Sequence, residues 1–210
     1  PELLKINRAS YQLITKFEEL DQWCEMAENN GTIAIDTETT SINAASANLV
    51  GVALAIAPGQ ACYIPLRHSP LDQSSKQVGL DFTQALENQD EIFEQIHFAR
   101  AIERLKKTFE DPAILKVGHN LKYDVHVLRQ ERNGGINIFP LDDTMCLSYA
   151  LDAGRVERHG LDYLANYWLS HETIKYEDVC GKGTKQVSFT QISPLNACNY
   201  AAEDADITLR

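Results

Sequence analysis

Two carboxylates stand two residues apart at the end of a short β-rich run. Asp36 and Glu38 flank Thr37. Because alternate residues of a strand share a face, both acids point the same way while the threonine points opposite. Two carboxylates this close repel each other unless a cation lies between them. The pair therefore fits a divalent-cation site, whereas a strand end with two solvated acids is the simpler meaning of these three residues alone.

Two more acids occur where a helix could carry them to the same place. Asp124 opens a helix after a predicted buried strand, which is where ligand sites of α/β sheets lie, although an aspartate also favours the first turn of any helix. Tyr200 and Asp204 are four residues apart and share one helix face; an exposed acidic face beside a half-buried tyrosine is the structural alternative. The Asp36 and Glu38 pair, Asp124, and the Tyr200 and Asp204 pair occur in this order along the chain. Together they favour a single site more strongly than any of them does alone.

The elements that would position these residues follow from hydrophobic periodicity and turn residues. Strands are predicted at 32–36, 49–57, 61–66, 113–117 and 136–139. Helices are predicted at 16–29, 91–110, 121–132, 143–151, 161–169 and 195–209. The predicted helix caps are Asn120 and either Asp142 or Asp143, and residues 67–90 are predicted to form an exposed loop. A turn at Pro58 and Gly59 makes the early strands antiparallel, and the later alternation of helix and strand completes an α/β fold, a ribonuclease H-like mixed sheet flanked by helices.

Length and composition describe an ordinary globular domain. The chain has 210 residues, 44% of them hydrophobic and 23% charged, which excludes collagen, low-complexity disorder and disulfide miniproteins. The longest apolar run, 49–58, is about half of what a bilayer span needs. Five cysteines without a C-x-x-C pair read as reduced thiols of a cytosolic protein. Residues 1–12 are predicted as a leading segment or linker and 13–210 as one domain, a fragment of a longer chain whose last helix is truncated.

The charge balance leaves two classes of protein open. Nineteen basic and thirty acidic residues give a net charge of −11, which argues against a nucleic-acid binder held by bulk electrostatics. It does not exclude an enzyme that meets phosphates through metal ions, because such a site needs clustered carboxylates.

The acids and the tyrosine, in this order, resemble the tyrosine subclass of the DEDD exonucleases. The strings between them resemble the 3′–5′ proofreading exonuclease domain of bacterial DNA polymerase I over residues 13–210. The strings that carry the resemblance are 36–39, 47–51, 63–65, 115–118, 120–124, 143–145, 181–183 and 200–206. Asn199 stands where the histidine subclass has its histidine, so only the tyrosine subclass matches. His119 departs from the pattern, which usually has glutamine there.

The resemblance implies a 3′–5′ exonuclease that releases 5′-mononucleotides by hydrolysis with two divalent ions, Mg²⁺ or Mn²⁺. The residues it implies as metal ligands are Asp36, Glu38, Asp124 and Asp204. Tyr200 would orient the attacking water. The residues it implies as substrate contacts are Thr37, Ile42, Asn120 and Tyr176.

The implied partners are a single-stranded or frayed DNA 3′ end and a polymerase domain in the same chain. No membrane contact is expected, and the protein is expected to be a monomer of the bacterial cytosol, associated with the nucleoid. Two other functions remain open: an RNA 3′-exonuclease of the ribonuclease D type, whose chemistry is identical, and an inert structural module of a polymerase. The presence of all four acids and the tyrosine weighs against the inert module.

Overall fold

A mixed β-sheet forms the centre of the computed structural model, which describes residues 5–69 and 93–210. Its strands are β1 (Gln12–Leu13), β2 (Thr32–Thr39), β3 (Leu49–Ala57), β4 (Gln60–Pro65), β5 (Leu115–Gly118) and β6 (Leu141–Asp143). Within these residues the spatial order is β1-β4-β3-β2-β5-β6. Strands β2, β3 and β4 pair antiparallel, whereas β5 pairs parallel with both β2 and β6. The predicted fold, antiparallel early strands and parallel late strands in one ribonuclease H-like sheet, is confirmed.

Helices cover both faces of this sheet. They are α1 (Phe17–Asn30), α2 (Phe98–Phe109), α3 (Lys122–Arg129), α4 (Thr144–Asp152), α5 (Leu161–Leu169), α6 (Tyr176–Cys180) and α7 (Pro194–Leu209). Helix α1 ends because Gly31 adopts a left-handed conformation, with φ of 71°. Helix α7 starts with Pro194 in its first turn, behind a Ser193 side chain that accepts a hydrogen bond from Asn196 N. In the described part of the chain, no helix is both long and apolar enough to cross a membrane.

The two faces of the sheet pack differently. One face buries branched side chains such as Ile33 and Ile35 against α1 and α2. The opposite face carries Ala34 and Ala53 against alanines of α7. Small side chains on both partners let this helix approach the strands closely. Helix α7 therefore packs closely against β2, β3 and β4.

The loop and the helix predicted to follow β4 differ from the structure. Helix α2 starts at Phe98 rather than at 91, because the preceding described residues hold an extended path: the Gln95 amide accepts from His68 N and donates to His68 O, both at 2.8 Å. Part of the predicted loop, residues 70–90, lies outside the described residues. At His68 the prediction of exposure is wrong, since only 5% of this residue is exposed and its ring contacts the Tyr63 hydroxyl at 2.7 Å.

The region after α3 also differs from the prediction. Helix α3 ends at Arg129, and residues 136–139 do not form the predicted strand; the edge strand is Leu141–Asp143 instead. Buried Asn133 explains the early helix end, because its side chain donates to Val127 O of the last helical turn and to Ala47 O. Asn137 N donates to the Glu110 carboxylate at 2.8 Å rather than to a strand. These are long-range contacts, which local periodicity does not encode.

Candidate active site

Strand β2 carries the first two acids and extends to Thr39, three residues beyond its predicted end at Asp36. Asp36 pairs with Ala53 of β3 and Glu38 with Gly51, so small partners flank both acids. Asp36 is partly exposed and Glu38 is buried. Because Ala34 of the same face packs with α7, the alternation of the strand places both acids toward α7 as well.

Burial raises the pKa values of all four acids, and the charge of Asp36 adds to this for the other three. Burial lifts the pKa of Asp36 to about 6. The pKa of Glu38 is raised well above its ordinary value, first by burial and then by the charges of Asp36, Asp204 and Asp124. Burial and then the Asp36 charge likewise raise the pKa of Asp124 and of Asp204. The fold therefore brings together the four acids that the sequence singled out, with Asp36 acting on each of the others.

Asp124 is held from the opposite side of β2. It lies in the first turn of α3, and its Oδ1 accepts from Thr37 N at 3.1 Å and from Thr37 Oγ1 at 2.5 Å. Thr37, predicted as a substrate contact, thus has its hydroxyl directed at an acid of the cluster. Among residues 5–69 and 93–210, no three His, Cys, Asp or Glu side chains are arranged to enclose a metal ion as they stand. A bound cation would have to draw these acids together.

The donor set nevertheless fits a hard divalent cation. Four carboxylates supply only oxygen ligands, which Mg²⁺ and Mn²⁺ prefer. Lys175 lowers the pKa of Asp204, but it acts more weakly than the neighbouring acids do. A cation would offset the repulsion that contributes to the raised pKa values of Glu38, Asp124 and Asp204.

Tyr200 stands one helical turn before Asp204 on α7. Burial, followed by the charges of Asp204, Glu38 and Asp36, raises the pKa of its phenol far above the ordinary value. The hydroxyl therefore stays protonated at neutral pH and can donate a hydrogen bond. Its ring packs edge-on against Tyr176, with 6.3 Å between the centroids, and tilted against Phe189 at 6.1 Å.

An open groove of about 620 Å³ runs beside Glu38. Three of the predicted substrate contacts, Ile42, Asn120 and Tyr176, line it. Ile42 is 99% exposed, which excludes the alternative that it is an ordinary core residue. The groove thus offers apolar and aromatic surface next to the acids. A second cavity of about 450 Å³ between α4, α5 and α7 has none of the four acids in its lining.

Asn120 does not cap its helix as predicted. The Asp143 carboxylate accepts from Asn120 N at 3.1 Å and from Leu121 N at 2.7 Å, and it also caps α4 by accepting from Met145 N. Asp143 is therefore confirmed as a helix cap and serves two helices. Asn120 itself adopts φ of 61°, which asparagine tolerates better than most residues.

Two groove residues, Tyr123 and Gln186, were missed by the sequence reasoning. The Tyr123 hydroxyl contacts Thr39 Oγ1 at 2.5 Å and donates to Ser41 O. It thereby fixes the loop that carries Ile42. Its place beside Asp124 in the string 120–124 was the available signal. Gln186 lies in a loop without periodicity and offered none.

The sheet order and the facing acids of β2, α3 and α7 define a ribonuclease H-like domain with a carboxylate site of the nuclease kind. The family model described as 3′–5′ exonuclease matches residues 11–210. The chain belongs to this family, the 3′–5′ exonuclease domains of DNA polymerase I.

Individual relatives agree with this placement. DNA polymerase I of Pseudomonas aeruginosa is 40% identical over 200 residues, which are 95% of this chain and 20% of that protein. The chain thus spans about a fifth of the length of this curated relative. Escherichia coli RNase D, an exoribonuclease involved in structured RNA processing, has a TM-score of 0.60 at 22% identity over 95% of this chain and 42% of its own. Brucella melitensis NrnC with bound Mg²⁺ has a TM-score of 0.55 at 19% identity over 95% of this chain and 76% of its own. These two likenesses show the fold alone.

The raised pKa of Asp36 predicts a pH dependence of stability in the presence of a chelator. Unfolding returns this pKa from about 6 to its ordinary 3.8. Between these values the folded state binds more protons, so the free energy of unfolding falls as the pH rises through the window. We expect a loss of roughly 1–3 kcal/mol between the two ends.

Urea unfolding in EDTA across this pH range measures the effect, with Asp36→Asn as the matched control. The variant lacks the titrating group and relieves its neighbours, so its stability should change less with pH. Burial also lowers the pKa values of His68 and His119. Their contributions to the pH dependence of stability are the same in both proteins and cancel in the comparison. If the free energy of unfolding changed with pH equally in the two proteins, the raised pKa of Asp36 would be contradicted.

Proposed function

We propose that this domain removes nucleoside 5′-monophosphates from the 3′ end of DNA, proofreading for a polymerase domain in the same chain. The observation that carries the proposal is the groove in which Ile42 and Tyr176 face an acid of the four-carboxylate cluster. The experiment that tests it is hydrolysis of end-labelled single-stranded DNA with and without a chelator.

The four acids would hold two divalent ions, Mg²⁺ or Mn²⁺. Asp36, whose charge acts on all the other three, would be a ligand together with them. Bound there, such ions lower the pKa of water and offset charge that develops on the phosphate. Thr37 would orient Asp124 through its two hydrogen bonds, in addition to the substrate contact first predicted for it.

Tyr200 would donate a hydrogen bond from its hydroxyl to the attacking water and keep its own proton, holding that water in line with the phosphorus. We expect Tyr200→Phe to lower the single-turnover rate by about 10- to 100-fold, because one positioning hydrogen bond is worth a few kcal/mol at most. Tyr149→Phe is the matched control, since this tyrosine of α4 is 65% exposed and packs only against His159 among the described rings. Its rate should equal that of the parent protein. A Tyr200→Phe rate as low as that of Asp36→Ala would mean that the tyrosine does more than position water.

The substrate proposed for the groove is an unpaired 3′ end. Ile42 and Tyr176, both exposed, would pack on terminal bases, and such stacking tolerates any sequence. An RNA 3′-exonuclease remains the second candidate, favoured only by the fold shared with RNase D. Rates on DNA and RNA of one sequence decide between them.

The polymerase partner is proposed from the length of the relatives. The chain covers about 20% of DNA polymerase I of Pseudomonas aeruginosa, so residues 13–210 would form one domain of a longer protein. We propose that this protein is monomeric and works in the bacterial cytosol at the nucleoid.

A further inference from the structure

Glu203 directly precedes Asp204 on α7, and its side chain is fully buried. Its Oε1 accepts from Arg8 Nε and from His171 Nε2, both at 2.7 Å, and its Oε2 accepts from Ile174 N at 2.7 Å. Since a carboxylate only accepts, the Nε2 atom of His171 carries the proton of this contact. Glu203 is thus the point where α7 holds other segments of the chain.

Two of these contacts come from residues 170–175, the strap, which connects α5 to α6. Asp162 of α5 is a further anchor, because it accepts from Thr173 Oγ1 at 2.7 Å and from Lys175 Nζ at 2.8 Å. Arg8 is another, since its Nη2 donates to Glu172 O at 3.0 Å. Among the strap's side chains only that of Thr173 is buried, so apolar packing contributes little to its position. Hydrogen bonds to α5, to α7 and to Arg8 therefore set where the strap lies.

The strap leads directly into the groove. Helix α6 begins at Tyr176, the residue after the strap, and the ring of Tyr176 packs against Tyr200 and stacks on Phe189 at 6.4 Å. A displaced strap would move Tyr176 away from the tyrosine of α7. The contact between His171 and Glu203 thus connects the helix of Asp204 with the aromatic wall of the groove.

We propose that His171 is a positioning residue for substrate binding, acting through Glu203 and the strap to hold Tyr176 where the terminal base of a single strand stacks. The proposal rests on the proposed function, because it assigns Tyr176 to the substrate. It assigns His171 no contact with substrate or metal. Its effect on binding must therefore pass entirely through Tyr176.

A neighbouring acid supplies the matched control. Asp206, also on α7 and fully buried, accepts from the Tyr11 hydroxyl at 2.8 Å and from Gly59 N at 2.8 Å. Neither donor belongs to the strap. Tyr11→Phe and His171→Ala each remove one side-chain hydrogen bond to a buried acid of α7, but only the second loosens the strap.

The test is a double-mutant cycle on binding of an oligothymidylate that carries fluorescein at its 5′ end, followed by anisotropy in EDTA at low salt. His171→Ala should weaken binding about fivefold or more, the equivalent of losing one well-stacked base. In a Tyr176→Ala background the same substitution should change the affinity less than about twofold. Tyr11→Phe should leave the affinity unchanged in both backgrounds. His171→Gln, whose amide can donate to Glu203, should bind like the parent protein.

Equal weakening by His171→Ala in both backgrounds would overturn the proposal, as would parent-like affinity of His171→Ala. If thermal unfolding shows His171→Ala to be far less stable than Tyr11→Phe, His171→Asn replaces it, because its side chain is too short to reach Glu203. Failure of the proposed function looks different: in that case Tyr176→Ala binds the oligonucleotide as tightly as the parent protein does, which also overturns the role of His171.

Discussion

Asp36→Ala is expected to lower the rate of 3′–5′ hydrolysis by at least about 10³-fold, because metal-assisted charge stabilisation is worth several kcal/mol. Asp36 lies at the centre of the cluster: its charge raises the pKa of each of the other acids, Glu38, Asp124 and Asp204. Removing it takes away the carboxylate whose charge acts on all the others. Asp204→Ala should have a loss of the same order, since it removes the acid that α7 contributes.

The rates are measured on single-stranded DNA with saturating Mn²⁺, and thermal unfolding verifies that each variant is folded. Asp142→Ala is the control, because this exposed aspartate belongs to edge strand β6. It should keep the parent rate. Activity of Asp36→Ala near that of Asp142→Ala would show that the cluster does not contain the reacting site.

Single-stranded and mismatched 3′ ends are expected to be degraded about 10²-fold faster than a matched blunt end if two base steps must melt, at ~1–2 kcal/mol each. A chain with a net charge of −11 has little long-range attraction for a duplex. The base contacts proposed at Ile42 and Tyr176 would require splayed bases. Selection against errors then follows from melting, without any contact that recognises the wrong base.

Initial rates on DNAs that differ only at the 3′ terminus measure this ratio, which should narrow as the temperature rises. Tyr176→Ala should slow hydrolysis of the single strand. Trp168→Ala, an exposed aromatic of α5 that lines the second cavity, should not. Equal rates on all termini with limiting enzyme would contradict this origin of selectivity.

The elements that local patterns predicted well are those whose ends are set by adjacent residues. Strands β3 and β4 follow directly from two apolar runs around Pro58 and Gly59, and α7 from its own helical pattern over 195–209. The start of α2 and the position of β6 depend on partners far along the chain, such as the contact of Gln95 with His68. Such contacts have no local signature, so these boundaries could not be predicted.

The same distinction applies to the site. The acids could be singled out because strand spacing joins Asp36 to Glu38 and helix spacing joins Tyr200 to Asp204. The hydrogen bonds that hold these elements could not, because Thr37 meets Asp124 only after β2 and α3 pack. The hydrogen bonds from Asn120 N and Leu121 N to Asp143 likewise connect distant segments of the chain.

The central claim is metal-dependent removal of nucleotides from a 3′ end, and one assay tests it most directly. Single-stranded DNA labelled at its 5′ end is incubated with the protein in Mn²⁺, and in EDTA, and the products are separated by length. We predict a ladder that shortens one nucleotide at a time in Mn²⁺, with 5′-mononucleotides released, and intact DNA in EDTA. Immediate release of the label as a mononucleotide, or an undiminished ladder in EDTA, would contradict the account.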